Sequence, residues 1–154
     1  MYISYTSLPD DSVLHDRVEQ GYFLDCFQVD ATISARQAAE VIVDFPNWAQ
    51  FLILIRRIVT TPFGLDQDGP DADDKLGPFP VEKTSNTEVI AGFNDLHLDF
   101  RVCVFSREGR VYLATWAHPH NIWGRIYLAL IMPFHILIAR NALSRVAIYD
   151  LSCA

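Results

Sequence analysis

The sequence lacks paired cysteines, a glycine-rich dinucleotide fingerprint and a long apolar run, and each absence excludes a class of protein. Its three cysteines, Cys26, Cys103 and Cys153, are an odd number without paired spacing, which excludes a disulfide framework and a four-ligand zinc site. The longest apolar stretch, 126–139, has 14 residues, fewer than the ~20 that a membrane span needs. The N-terminal segment, 1–20, does not have the pattern of a secretion signal. We therefore expect no cofactor, no membrane span and a cytoplasmic location.

Positive charge is also scarce. The chain carries 12 basic and 19 acidic residues, and its formal net charge of -7 argues against nucleic acid or an anionic membrane as the partner. Five of the aspartates fall within 62–80, a segment rich in proline and glycine that we expect to be a mobile acidic loop. With 154 residues, 51% of them hydrophobic, the chain is predicted to form a single domain, 1–154, with a large core.

Two short helices are predicted after a first strand at 22–30, which is rich in aromatic and β-branched residues. Ser34 with Gln37 forms a capping box that opens the first helix. Asn47 with Gln50 repeats that pattern for the second helix. Both helices therefore precede the main group of strands.

Two hairpins are predicted in the second half of the chain. Asn94 and Asp95 suit a two-residue turn, which sets Glu88 directly opposite Arg101. The next turn is predicted as a three-residue loop, 107–109, with its glycine in the left-handed region.

The register of the second hairpin predicts which side chains share a face of the sheet. One face carries Leu98, Phe100, Val102, Val104, Tyr112, Ala114 and Trp116. The other face carries His97, Asp99, Arg101, Cys103, Leu113, Thr115 and Ala117. Because the first face has no charge, we expect it to form the core.

A long helix is predicted at the C-terminus, over 122–149, with a kink at Pro133. Its helical-period stripe is expected to pack on the sheet and consists of Ile126, Tyr127, Leu130, Ile131, Phe134, Leu137 and Ile138. The segregated order of helices and strands indicates an α+β fold. The sequence thus predicts a helix grip, in which an antiparallel sheet wraps around the long kinked C-terminal helix.

Two stretches carry a resemblance to a known family. They are EVIAGFNDLHLDFR, at 88–101, and HNIWGRIYLALIMPFH, at 120–135, and they are similar to the family catalogued as domain of unknown function 2867. The resemblance implies membership of the START-like and pollen-allergen-like helix-grip superfamily, whose members bind or transform hydrophobic molecules. The family has no assigned activity, so the resemblance transfers no catalytic residue.

Two groups of residues are candidate site residues. A predicted ligand pocket between sheet and C-terminal helix is lined by Trp48, Trp116, Arg125, Tyr127, Met132 and His135. A predicted polar patch consists of Glu88, Asp95, His97, Asp99, Arg101 and His120. The patch indicates acid–base chemistry, anion binding or a solvated strand face with Glu88 paired to Arg101. Arg125 either orients a ligand or pairs with Asp95 or Asp99.

The expected function is binding of a small hydrophobic molecule, oriented by Arg125 and His135. Two alternatives stay open: an enzyme that uses His97, Asp99 or His135 for acid–base chemistry, and a homodimeric interaction module with an apolar interface. His118 and His120 offer two metal ligands from one strand end, but no spacing matches a strong metal motif, so no metal site is predicted.

Overall fold

Seven strands and three α-helices make up the part of the chain that the computed structural model describes, residues 2–18, 23–63 and 71–153. The strands are β1 (Ser4–Tyr5), β2 (Phe23–Asp30), β3 (Lys75–Leu76), β4 (Phe79–Thr84), β5 (Glu88–Asn94), β6 (Leu98–Arg107) and β7 (Arg110–Pro119). The helices are α1 (Ala35–Val43), α2 (Asn47–Thr60) and α3 (Ile122–Cys153), with short 3-10 turns at Val13–Arg17 and Thr61–Phe63.

All seven strands form one antiparallel sheet in the order β1-β2-β7-β6-β5-β4-β3. The strands from β3 to β7 follow one another as hairpins, whereas β2 pairs with the distant β7. Helices α1 and α2 lie in the connection after β2, and α3 follows β7. This segregation confirms the predicted α+β class, and the long C-terminal helix is consistent with a helix grip.

The starts of α1 and α2 follow from local hydrogen bonds. Ser34 caps α1 as predicted, because its hydroxyl accepts from the Gln37 N–H while the Gln37 side chain accepts from the Ser34 N–H. The predicted side-chain cap at Asn47 is wrong, since Asn47 is already the first residue of α2 and makes no capping bond. Gln50 instead donates its side-chain amide to the carbonyl of Phe45 at 2.8 Å.

Part of the predicted acidic loop is paired strand. Residues 64–70 of that prediction lie outside the described residues. Beyond them, β3 pairs with the start of β4. Asp74 accepts two hydrogen bonds from Arg36, at 2.7 and 2.9 Å, which hold the pKa of its carboxyl below the usual range. The last part of the segment is therefore tied to α1 and to the sheet.

The register of the first hairpin differs from the predicted one. Glu88 faces Phe105 and Arg101 faces Gly92, so the predicted Glu88–Arg101 pairing is wrong. A three-residue loop replaces the two-residue turn, and the Asp95 carboxylate accepts the N–H of the next residue at 2.7 Å. The backbone N–H of Asp95 donates across the loop to the carbonyl of Leu98 at 3.1 Å, and no described residue of the loop has a positive φ.

The second hairpin turns in two residues, not in the predicted three. Arg107 pairs with Arg110, and both turn residues are left-handed, with φ of 53° at Glu108 and 75° at Gly109. A turn of this kind matches the right-handed twist of its strands, which offsets the strain at Glu108. The change in register moves every β7 side chain to the other face of the sheet.

The two faces of the sheet are therefore sorted differently from the prediction. Tyr112, Ala114 and Trp116 do not share a face with Val102 and Val104, as predicted, but lie on the opposite one. The helix-facing side packs on α1 and α3 and carries Phe27, Val29, Val89, Ala91, Val104, Val111 and Leu113. The opposite side, here called the outer face, is covered by Leu8 and Leu14 and carries Cys26, Ile90, Cys103, Phe105, Ala114 and Trp116.

Helix α3 buries its C-terminal half, including Leu143 and Val146, and leaves much of its first half exposed. Gly124 determines which face turns inward, because a Cβ atom there would lie 2.2 Å from the carbonyl oxygen of His97. The residues that share this inward face lie at helical spacing from Gly124 and include Met132 and His135. The predicted sheet-facing stripe is wrong for four of its seven members, since Ile126, Leu130, Phe134 and Leu137 are exposed.

Among the described residues, α3 is long and apolar enough to cross a membrane, by length and composition alone. Helix α1 with Asn47–Ile58 of α2 passes the same test only as one span bent by 68°. The uninterrupted apolar run, 126–139, is shorter than α3 because Arg140 ends it. The C-terminal half of α3 nevertheless belongs to the core that it shares with α1 and the sheet.

Candidate functional site

A carboxylate and an imidazole connect the sheet to α3. Asp25 lies in β2 opposite Thr115, on the helix-facing side. His135 lies on the inward face of α3, and its Nε2 is 2.9 Å from Oδ2 of Asp25. The Asp25 side chain is 7% exposed and that of His135 is 22% exposed. The pair is thus almost buried, with the imidazole toward solvent.

One oxygen of this pair is unsatisfied. Oδ1 of Asp25 is buried and has no hydrogen-bond partner among the described residues. Leaving a buried acceptor unpaired costs about 1–3 kcal/mol, and more for a charged group. Such an oxygen indicates a position where the donor of a bound molecule would fit.

Aromatic rings line the helix-facing side of the sheet. The ring of Phe23 meets that of His135 edge-on, with centroids 6.4 Å apart. Phe100 meets Phe79 and Phe93 in the same way, with centroids 5.4 and 4.8 Å apart. These rings provide apolar surface on the side of the sheet that carries Asp25.

A polar contact between described residues joins α2 to α3. Nε of Arg56 donates to the hydroxyl of Tyr127, and the guanidinium carbon lies 5.5 Å from the centroid of the Tyr127 ring. Most of the large apolar side chains of α2 are exposed, including Phe51, Leu54 and Ile58. Since little apolar packing holds α2, this helix is the part of the site most easily displaced.

The six predicted pocket residues do not lie together. Tyr127 and Met132 are half-buried in α3, as is His135, whereas Arg125 is exposed and Trp48 is 38% exposed at the start of α2. The predicted partners of Arg125 are engaged elsewhere, since Asp95 caps its own loop and Asp99 contacts His120. Trp116 is buried on the outer face, so the sheet separates it from α3.

Cavities occur near α1. An open groove of about 540 Å³ lies between α1 and the C-terminal end of α3. A small void of about 10 Å³ lies between α1 and the sheet and has room for about one water molecule. Neither is lined by Asp25 or His135. Neither cavity therefore leads to Asp25.

The predicted polar patch is divided into separate clusters. Glu88 is only 1% exposed, and its carboxylate accepts from the Ser12 hydroxyl, the Val13 N–H and the Lys83 ammonium. Burial alone would raise the pKa of Glu88, but these bonds and one from Cys103 outweigh it and hold the pKa below its usual range. The cluster ties the N-terminal segment to the outer face.

Arg101 belongs to a second cluster, and it is 4% exposed. Its guanidinium donates to Glu82 at 2.6 Å, to the side-chain oxygen of Asn94 at 2.8 Å and to the carbonyl of Phe100 at 2.7 Å. Glu88 and Arg101 therefore have different partners and form no joint site.

The third cluster brings together Asp99, His118 and His120 where β6 begins and β7 ends. Asp99 and His118 are cross-strand partners, and Nε2 of His120 lies 2.9 Å from Oδ1 of Asp99. The Asp99 carboxylate is the main cause that raises the pKa of the His120 imidazole. His97 lies in the adjoining loop, where its Nδ1 is 3.0 Å from the side-chain nitrogen of Asn121.

Neither buried cysteine is prepared for nucleophilic chemistry. Burial, and then the nearby charge of Asp25, raise the pKa of Cys26 to about 12. Burial likewise raises the pKa of Cys103 far above its usual value. Both thiols remain protonated at neutral pH.

Asp25 and Ser12 were not predicted from the sequence. Asp25 interrupts an otherwise apolar stretch of β2, and a charge on a strand that is buried on both faces signals a partner. Nothing local distinguishes Ser12, because its partner Glu88 is 76 positions away.

The comparisons with known proteins identify the family. No curated protein and no solved structure matched significantly. The family model described as "Protein of unknown function (DUF2867)" matches residues 17–142, which include Asp25, His135 and the Asp99 cluster. Because this match covers most of the chain, the protein belongs to the DUF2867 family.

Proposed function

We propose that the protein binds a hydrophobic molecule with a hydrogen-bond donor between the sheet and the first half of α3. The buried, unpaired Oδ1 of Asp25 is the observation that carries this proposal. An apolar molecule with a hydroxyl or amine group would satisfy that oxygen and cover the aromatic rings beside it. The proposal includes membership of the helix-grip superfamily, whose members bind or transform hydrophobic molecules.

Each residue of the site has a distinct part in this proposal. Asp25 accepts the donor of the ligand, and His135 holds the carboxylate in place through Oδ2. Tyr127 and Met132 contact the apolar part from α3. Trp48, at the start of α2, and Arg125, near the start of α3, are both exposed and have no part in this proposal. The three free cysteines support the proposed cytoplasmic location.

The proposal is tested with two probes of equal chain length and charge. Decylammonium offers N–H donors, whereas decyltrimethylammonium offers none. Native mass spectrometry and calorimetry on the purified protein should show tighter binding of decylammonium, because only this cation can donate to Asp25. Asp25→Asn should abolish that preference, and Asp30→Asn, an exposed change on the same strand, should retain it.

Two results would contradict this function. Equal affinity for both cations in the wild-type protein would mean that no buried acceptor recognises the ligand. A preference that survives Asp25→Asn would place binding elsewhere on the molecule. Turnover of the bound probe would instead support an enzyme, with Asp25 and His135 as its acid–base pair.

Pairing of two copies is a second candidate function, and the outward stripe of α3 favours it. Ile126, Leu130, Phe134 and Leu137 follow one another at helical spacing and are 45%, 68%, 50% and 54% exposed. A stripe of this kind is typical of helices that pack against a partner. Phe134→Ser should then dissociate a dimer seen by light scattering, and a monomeric wild-type protein at high concentration would contradict the pairing.

A further inference from the structure

We propose that Asp99, His118 and His120 form a binding site for a divalent transition-metal ion on the outer face of the sheet. The site lies on the opposite face from Asp25 and His135 and is independent of the function proposed above. Two imidazoles and one carboxylate are a ligand set that suits Zn²⁺ and related ions.

The strand pairing places the three side chains on one face. His118 and His120 are two positions apart at the end of β7, so their side chains project to the same side. Asp99 in β6 is the direct cross-strand partner of His118 and therefore shares that face. The backbone N–H of His120 donates to the carbonyl of His97 at 2.9 Å, which keeps His120 beside the hairpin after β7 has ended.

The spacing of the three ligand atoms is close to that of a metal site. They lie within 4.8 Å of one another, one from each residue. Two ligands that are each ~2.1 Å from a metal ion lie at most ~4.2 Å apart. Small rotations of the side chains are therefore sufficient to bring all three atoms to one ion.

The orientation of His120 also suits a metal ligand. Its Nδ1 lies 3.2 Å from the carbonyl oxygen of Leu96, so this nitrogen carries the proton and donates it. In the neutral imidazole the lone pair is then on Nε2, which faces Asp99. Metal-binding histidines are typically held in this way by a backbone carbonyl behind the ring.

An ion pair between His120 and Asp99 is the rival explanation, and two observations favour the metal site. Oδ1 of Asp99 is shielded from solvent and has no aligned hydrogen-bond donor among the described residues, although Nε2 of His120 lies 2.9 Å from it. The ring of His118 lies 5.4 Å from that of His120, which a simple ion pair does not require. The His120 side chain is 34% exposed, so an ion can enter from solvent and keep a water as fourth ligand.

The test is a titration of the purified full-length protein, first stripped with EDTA, with ZnCl₂ in a calorimeter. CoCl₂ in a parallel titration reports the geometry through its visible absorption. We expect one ion per chain, with the absorption of a four-coordinate site. His118→Ala, His120→Ala and Asp99→Asn should each weaken binding by about tenfold or more, whereas His97→Gln, a change beside the site, should not.

Circular dichroism and thermal melts of the metal-free variants show whether each one folds, and only folded variants are compared. No saturable binding of either ion by the wild-type protein would overturn the proposal. Binding with unchanged affinity in folded His118→Ala and His120→Ala would also overturn it, because the ion would then lie elsewhere. A rise in melting temperature with ZnCl₂ in the wild type alone supports it.

Discussion

Asp25 and His135 contact each other through Oδ2 and Nε2 at 2.9 Å, although 110 positions separate them in the chain. This contact joins the second strand to the C-terminal helix and leaves Oδ1 of Asp25 buried, without a hydrogen-bond partner in the part of the chain that the structure describes. A contact of this kind adds stability and also preserves a polar position inside an apolar region. Its removal should therefore affect both folding and ligand binding.

His135→Leu should lower the free energy of unfolding by about 1–3 kcal/mol, because Asp25 then loses its buried partner. The double variant Asp25→Leu with His135→Leu should recover much of that loss, since no buried charge remains. Arg125→Ala, an exposed change on the same helix, should change the free energy of unfolding by less than about 0.5 kcal/mol. Urea denaturation of the wild type, these three variants and the single variant Asp25→Leu measures these differences, and additive effects of Asp25→Leu and His135→Leu would argue against the contact.

Glu88 should make the stability of the protein depend on pH in the acid range. Its pKa in the folded state is lower than the usual 4.5, so the folded protein holds the charged carboxylate more firmly than the unfolded chain does. The stabilisation is complete above about pH 4.5 and is lost as the pH falls through the folded-state value. Glu88→Gln should flatten this part of the stability profile and cost about 1–3 kcal/mol at neutral pH.

Glu108→Gln is the matched control for that experiment, because the Glu108 side chain is 79% exposed. Chemical denaturation between pH 3 and pH 7 gives both profiles. An unaltered slope in Glu88→Gln would show that the bonds from Ser12, Val13 and Lys83 do not favour the charged form.

Gly92 should not tolerate a side chain. Its φ is 146°, and an added Cβ would lie 2.3 Å from the carbonyl oxygen of Phe100 in the next strand. Gly92→Ala should therefore destabilise the protein by about 2–4 kcal/mol, from steric overlap and backbone strain together. Gly109→Ala meets no atom within 4 Å and should cost only about 1–2 kcal/mol for its left-handed backbone. Thermal melts that rank the two variants in the opposite order would contradict this register.

Local sequence patterns predicted most of the helices and strands. The errors concern the hairpin registers and the rotation of α3, which depend on contacts between distant residues. The capping box at Ser34 lies within four residues, so the sequence was sufficient to place the start of α1. The hairpin registers depend on distant partners, such as the contact between Ser12 and Glu88. The rotation of α3 depends on the close approach of Gly124 to His97. The pairing of Asp25 with His135 follows from that rotation, so local patterns were not able to reveal it.

The most direct test of ligand binding beside Asp25 is an NMR titration that follows the imidazole signals of the five histidines. Decylammonium should shift the signals of His135, because its contact with Asp25 changes when Oδ1 accepts a new donor. The signals of His118 and His120 should remain in place, since the sheet separates them from this site. Binding that leaves the His135 signals unchanged, or that shifts those of His118 and His120 instead, would contradict the account.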